Sequence, residues 1–69
     1  MFDLEIFVNG EPVHTQAPNL QGLLLERGHD LGAAFACAVN NSFVARTMWS
    51  QWPLNAQDRV DVIAPITGG

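Results

Sequence analysis

The chain has 69 residues, 48% hydrophobic and only 14% charged, a composition that describes one small folded domain rather than a disordered segment. Three arginines against seven acidic residues leave a formal charge of −4, which argues against nucleic-acid binding and suits a basic partner. The absence of lysine removes Schiff-base chemistry and a phosphate-binding lysine loop, and the single cysteine, Cys37, rules out an internal disulfide.

Leu4, Ile6 and Val8 alternate with Asp3, Glu5 and Phe7, the period-two pattern of a half-buried strand. Asn9-Gly10 follows, a preferred pair for a two-residue type I′ turn, so residues 11–16 are expected to return as an antiparallel strand. Asn19 then offers an N-cap to a helix whose apolar face is Leu20, Leu23 and Leu24, with Gly28 placed to end it. Gly22 weakens that helix by about 1 kcal/mol relative to alanine.

From Phe35 the period returns to two: Phe35, Cys37 and Val39 share one face, Ala36 and Ala38 the other. Asn40-Asn41 tolerates positive φ, so Ser42–Arg46 is expected to come back as a neighbouring strand. Thr47–Gln57 keeps no period and is interrupted by Pro53; it reads as a helical turn and loop anchored by Met48, Trp49, Trp52 and Leu54. Val60, Val62 and Ala64 alternate with Arg59, Asp61 and Ile63 as a last strand.

Five strands around one main helix make a small α+β roll, with a mixed sheet covered by the helix on one face. When the first and last strands of this order lie side by side at the sheet centre, the roll is the β-grasp, or ubiquitin-like, fold. Residues 1–66 are expected to form that domain, and residues 67–69 a flexible tail. No stretch approaches the ~20 apolar residues of a membrane span, and the start MFDLEIF lacks the basic region of a signal peptide. A soluble, cytoplasmic protein is expected.

The side chains offer little chemistry. Cys37 lies on an inward strand face and reads as a small core hydrophobe. His14 and His29 lack companions at metal-ligand spacing, and Glu26 and Asp30 read as a solvated helix end. Phe7 and Ile63 fall on the sheet face away from the helix, where uncovered apolar groups would form a docking patch. What remains is the C-terminal pair Gly68-Gly69: without any Cβ it threads a narrow cleft, and its terminal carboxylate, with a reference pKa of about 3.3–3.7, is ionised at neutral pH.

The pattern Ala38-Val-Asn40, Phe43-Val-Ala-Arg46, Trp49, Leu54, Asp58-Arg-Val-Asp-Val and Ile66-Thr-Gly68-Gly69 resembles the thiamin-biosynthesis sulfur-carrier family, ThiS. The Phe7-Val-Asn-Gly hairpin and the Leu23-Leu-Leu-Glu helix extend the likeness over essentially the whole chain. Ala45 stands where that family usually has proline, and Gln57 where it has a turn glycine, so the positive φ of that turn is expected at Asn55 instead.

The resemblance implies a carrier rather than an enzyme. A ThiF-type partner, using ATP and Mg²⁺, adenylates Gly69; persulfide sulfur from a cysteine desulfurase converts it to a thiocarboxylate; thiazole synthase accepts the sulfur. No cofactor is expected on the chain itself, which is expected to be monomeric when free. Gly68 supplies access, and Phe7, Ile63 and Ile66 are candidate docking residues. MoaD, the small subunit of molybdopterin synthase, and a non-covalent ubiquitin-like module are the alternatives.

Overall fold

The computed structural model describes residues 3–64. In chain order it contains β1 (Leu4–Val8), β2 (Glu11–Thr15), α1 (Leu20–Glu26), β3 (Ala36–Val39), β4 (Ser42–Val44), a 3-10 helix (Arg46–Gln51) and β5 (Arg59–Ile63). The strands form one sheet in the order β2-β1-β5-β3-β4. All its pairings are antiparallel except that of β1 with β5, which lie parallel at the centre, as the β-grasp reading requires.

Both hairpins turn on asparagine. Asn9 and Gly10 have φ of 51° and 85°, and Asn40 and Asn41 have φ of 53° and 68°, the left-handed values that a type I′ turn needs at both central positions. Register follows from these two-residue loops: Val8 pairs with Glu11 and Val39 with Ser42.

Helix α1 starts where expected, with Asn19 Oδ1 accepting from the Gly22 amide at 2.8 Å. It ends at Arg27, ahead of Gly28 at φ 84°. Gly22 is less a defect than the composition suggests. A Cβ built there would meet Ala17 Cβ and Pro18 Cδ at 3.3 Å, so its absence lets the incoming chain pack against the first helical turn.

The core lies between α1 and the inner sheet face. Ile6, Leu20, Leu23, Leu24, Cys37, Val44, Trp49 and Val60 are all at most 2% exposed, and Trp52 and Phe35 pack against this cluster. Two polar groups share the interior, and both are satisfied. Thr15 Oγ1 donates to Glu26 Oε1 at 2.6 Å and accepts from the Ala17 amide, which makes Glu26 more than a solvated helix end. Asp58 accepts from Asn40 Nδ2 at 3.1 Å and from the Asn55 amide at 2.9 Å. Among the described residues no buried side-chain polar atom is left without a partner.

Three expectations are corrected. The return strand stops at Val44 instead of Arg46, because the chain enters the 3-10 helix there to bury Trp49. Met48 does not anchor that segment: it is 43% exposed, while Trp49 and Leu54 are buried. The positive φ of the turn before β5 falls on Gln57 itself, at 70°, rather than on Asn55. The Asp58 amide bonds back to the Asn55 carbonyl across this turn, placing Gln57 at the third position, where a type II turn demands φ above zero.

Candidate functional site

The outer sheet face is assembled by strand alternation. Because Ile6 and Val8 point into the core, Phe7 between them points away, and the same logic turns Arg59, Asp61 and Ile63 outward from β5. Phe7 is half-buried and Ile63 is 56% exposed, so both lie on the expected face. They are not brought together. Phe7 pairs with Arg59, and Ile63 is four residues further along β5, roughly 13 Å at the rise of a strand.

Each instead belongs to its own shallow hollow. Phe7 sits with Gly10, Asn41, Arg59 and Asp61 in a polar one. Ile63 sits with Ala34, Phe35, Ala36 and Arg46 in an apolar one, at the end of β5 from which the chain continues toward Gly69. On the same face Phe43 is 71% exposed and paired with Ala38, which is itself paired with Asp61, a residue of the first hollow. Sequence reasoning overlooked Phe43. The available signal was its alternation with Val44, which sends one of the two outward. On the opposite side of the face His14 lies between Asp3 Oδ2 at 3.3 Å and Glu5 Oε2 at 3.8 Å, so the acidic charge gathers on the β1–β2 edge.

Arg46 holds the wall of the apolar hollow. Its guanidinium donates to the carbonyls of Leu31, Ala33 and Phe35, tying down the segment between α1 and β3. It also lies 4.5 Å from the Trp49 ring centroid and 5.2 Å from that of Phe35, and these two rings stack at 5.1 Å. A planar donor fork that spans several carbonyls while its face rests on aromatics is work for arginine and not for lysine.

Chemistry on the body itself is sparse. Cys37 has no exposed surface, and burial pushes its thiol pKa up, an effect that the nearby Arg46 charge opposes. It is protonated at neutral pH and shielded, the opposite of an activated nucleophile. Among the described residues no group of three or more His, Cys, Asp or Glu side chains gathers as a metal site. No helix among them is long and apolar enough to cross a membrane. Gly68, Gly69 and Ile66 lie outside the described residues.

The sequence model of the ThiS family matches residues 5–69, nearly the whole chain and including the C-terminal glycine pair. The chain belongs to the ThiS family. Within the ThiS pattern, Arg46 and Trp49 acquire a structural meaning here, as the clamp and the buried ring that it covers. The fold agrees with a solved ThiS structure, that of a thiamine biosynthesis protein from Geobacter metallireducens. It superposes with a TM-score of 0.80 at 20% identity, over 96% of this chain and all of that one. No curated protein matches the sequence.

Proposed function

We propose that this chain is a sulfur carrier for thiamin biosynthesis, a protein co-substrate whose working group is the Gly69 carboxylate. The observation that carries this reading is the ThiS match extending through residue 69, on a β-grasp body. The solved ThiS structure of a thiamine biosynthesis protein points to the same pathway.

The chemistry follows from what a carboxylate lacks. At neutral pH Gly69 is an anion and a poor electrophile, so it must be activated by a partner. In an adenylating enzyme of the ThiF type, a carboxylate oxygen attacks the α-phosphorus of ATP and pyrophosphate leaves, giving an acyl-adenylate. The terminal sulfur of a cysteine persulfide then attacks the acyl carbon, and AMP departs with the activated oxygen. A thiol cleaves the resulting acyl disulfide, leaving the Gly69 thiocarboxylate for thiazole synthase. The glycine pair carries no side chain to obstruct these sites, and residues 66–69 span about 13–14 Å when extended.

The body supplies recognition. The outer face, apolar at Ile63 and Phe43 and acidic at Asp3 and Glu5, fits a partner that offers an apolar contact beside basic groups. Deleting Gly69 tests the reading. The shortened chain is expected to fold and still dock, yet to take up no AMP and deliver no sulfur to thiazole synthase. Delivery by the full chain to a dithiolene-forming enzyme instead of thiazole synthase would move it to the molybdopterin pathway. Docking by both chains, with no AMP uptake or sulfur delivery by either, would return it to a non-covalent interaction module.

A further inference from the structure

Strand β5 is gripped by both hairpin asparagines. At its start, Asn40 Oδ1 accepts from the Arg59 amide at 3.0 Å, and the Asn40 amide donates to the Arg59 carbonyl at 2.8 Å. Toward its end, Asn9 Oδ1 accepts from the Val62 amide at 2.8 Å, and the Asn9 amide donates to the Val60 carbonyl, also at 2.8 Å.

The second grip arises from topology. β1 runs parallel to β5 with Phe7 opposite Arg59 and Val8 opposite Val60, so the next rung requires a carbonyl from residue 9. Asn9 has already left the ladder for its turn at φ 51°, and its side-chain carbonyl takes the place of the missing backbone one. On its other flank β5 stays paired with β3 through Ile63 and Ala36. The strand is therefore held on both sides up to a point seven residues before Gly69.

We infer that Asn9 is a positioning residue for the C-terminal tail: its side-chain oxygen fixes the root from which residues 65–69 are presented to the adenylating partner. This rests on the sulfur-carrier reading. The role needs two properties together, tolerance of positive φ and an acceptor one carbon beyond Cβ. Asn and Asp have both, whereas glycine has only the first.

Three variants separate the rung from the turn: Asn9→Gly, Asn9→Asp and, at the far end of the strand, Asn40→Gly. Each is assayed for amide exchange at Val62, affinity for the adenylating enzyme, and the rate of AMP transfer at saturating partner. For Asn9→Gly the Val62 amide is expected to exchange roughly five- to tenfold faster, as befits loss of one hydrogen bond. Partner affinity should hold while kcat falls. Asn9→Asp should behave as the native chain does in all three, and Asn40→Gly should lose stability but keep kcat.

Native kcat in Asn9→Gly, or an Asn9→Asp chain as impaired as Asn9→Gly, overturns the inference. A native chain that accepts no AMP from an active partner sinks the carrier reading and the tail role with it, while Val62 exchange still decides whether the rung exists.

Discussion

The two faces of the sheet are built from the same strands but carry opposite kinds of residue. Inward, Ile6, Val8, Cys37, Val39, Val44 and Val60 are buried without interruption against α1. Outward, Phe7, Phe43 and Ile63 are separated by the short side chains of Ala36 and Ala38 and by the charges of Arg59 and Asp61. The inner face is continuous because a thin core in a chain of this size has no apolar area to lose. The outer face is discontinuous, its exposed apolar side chains interleaved with charged ones instead of merged into one patch.

That contrast makes unequal predictions for the two sides. Trp49→Ala should have the largest effect. It removes a ring that is 2% exposed, donates to the Val44 carbonyl at 3.1 Å and supports the Arg46 clamp, so a loss of about 3–5 kcal/mol is expected in denaturant unfolding. A loss below about 1 kcal/mol would mean that the core is not organised around it.

A smaller and opposite change is expected at the turn into β5. Gln57→Gly relieves a left-handed residue, a gain of about 1–2 kcal/mol, and loosens the unfolded chain, a cost of about 0.4–1 kcal/mol. The exposed 3.4 Å contact of Gln57 with Glu5 contributes little against either. The net should be a rise of about 0.5–1 kcal/mol, readable as a higher melting temperature. A fall would place the strain elsewhere.

On the outer face, Phe43→Ala and Ile63→Ala should each shift stability by no more than about 0.5 kcal/mol. Their effect belongs in affinity for the adenylating partner, about tenfold or more if they act as interface anchors. Titration calorimetry with and without each substitution reads this, and native affinity in both variants would leave the docking assignment without support.

Much of the fold was legible because short-range chemistry and long-range packing agree. Asn9-Gly10 and Asn40-Asn41 demand tight turns, the leucines at 20, 23 and 24 demand a buried helical face, and Asn19 and Gly28 mark its limits. Where the two levels part, the sequence misleads. Asparagine is the better left-handed residue by intrinsic preference, yet the pull of Asp58 on the Asn55 amide and of the Glu5 carbonyl on the Gln57 amide assigns the strained position to Gln57.

Arg46 shows a different kind of gap. The family pattern singles it out, but its acceptors lie 11–15 residues away on a segment with no periodic signal, so only the folded chain reveals the clamp. The second duty of Asn9 was equally hidden. An Asn-Gly pair announces a turn, whereas the bond to Val62 spans 53 residues and depends on the parallel register of β1 and β5.

The division of labour between a recognising body and a reacting end is tested most directly by intact mass. The full chain and a chain lacking Gly69 are each incubated with ATP, Mg²⁺, an active adenylating partner and a persulfide source, then weighed. The full chain should gain the mass difference of one sulfur replacing one oxygen, located at Gly69 by fragmentation, and the shortened chain should gain nothing. No gain in the full chain, or a sulfur found on Cys37 instead of the terminus, would contradict the account.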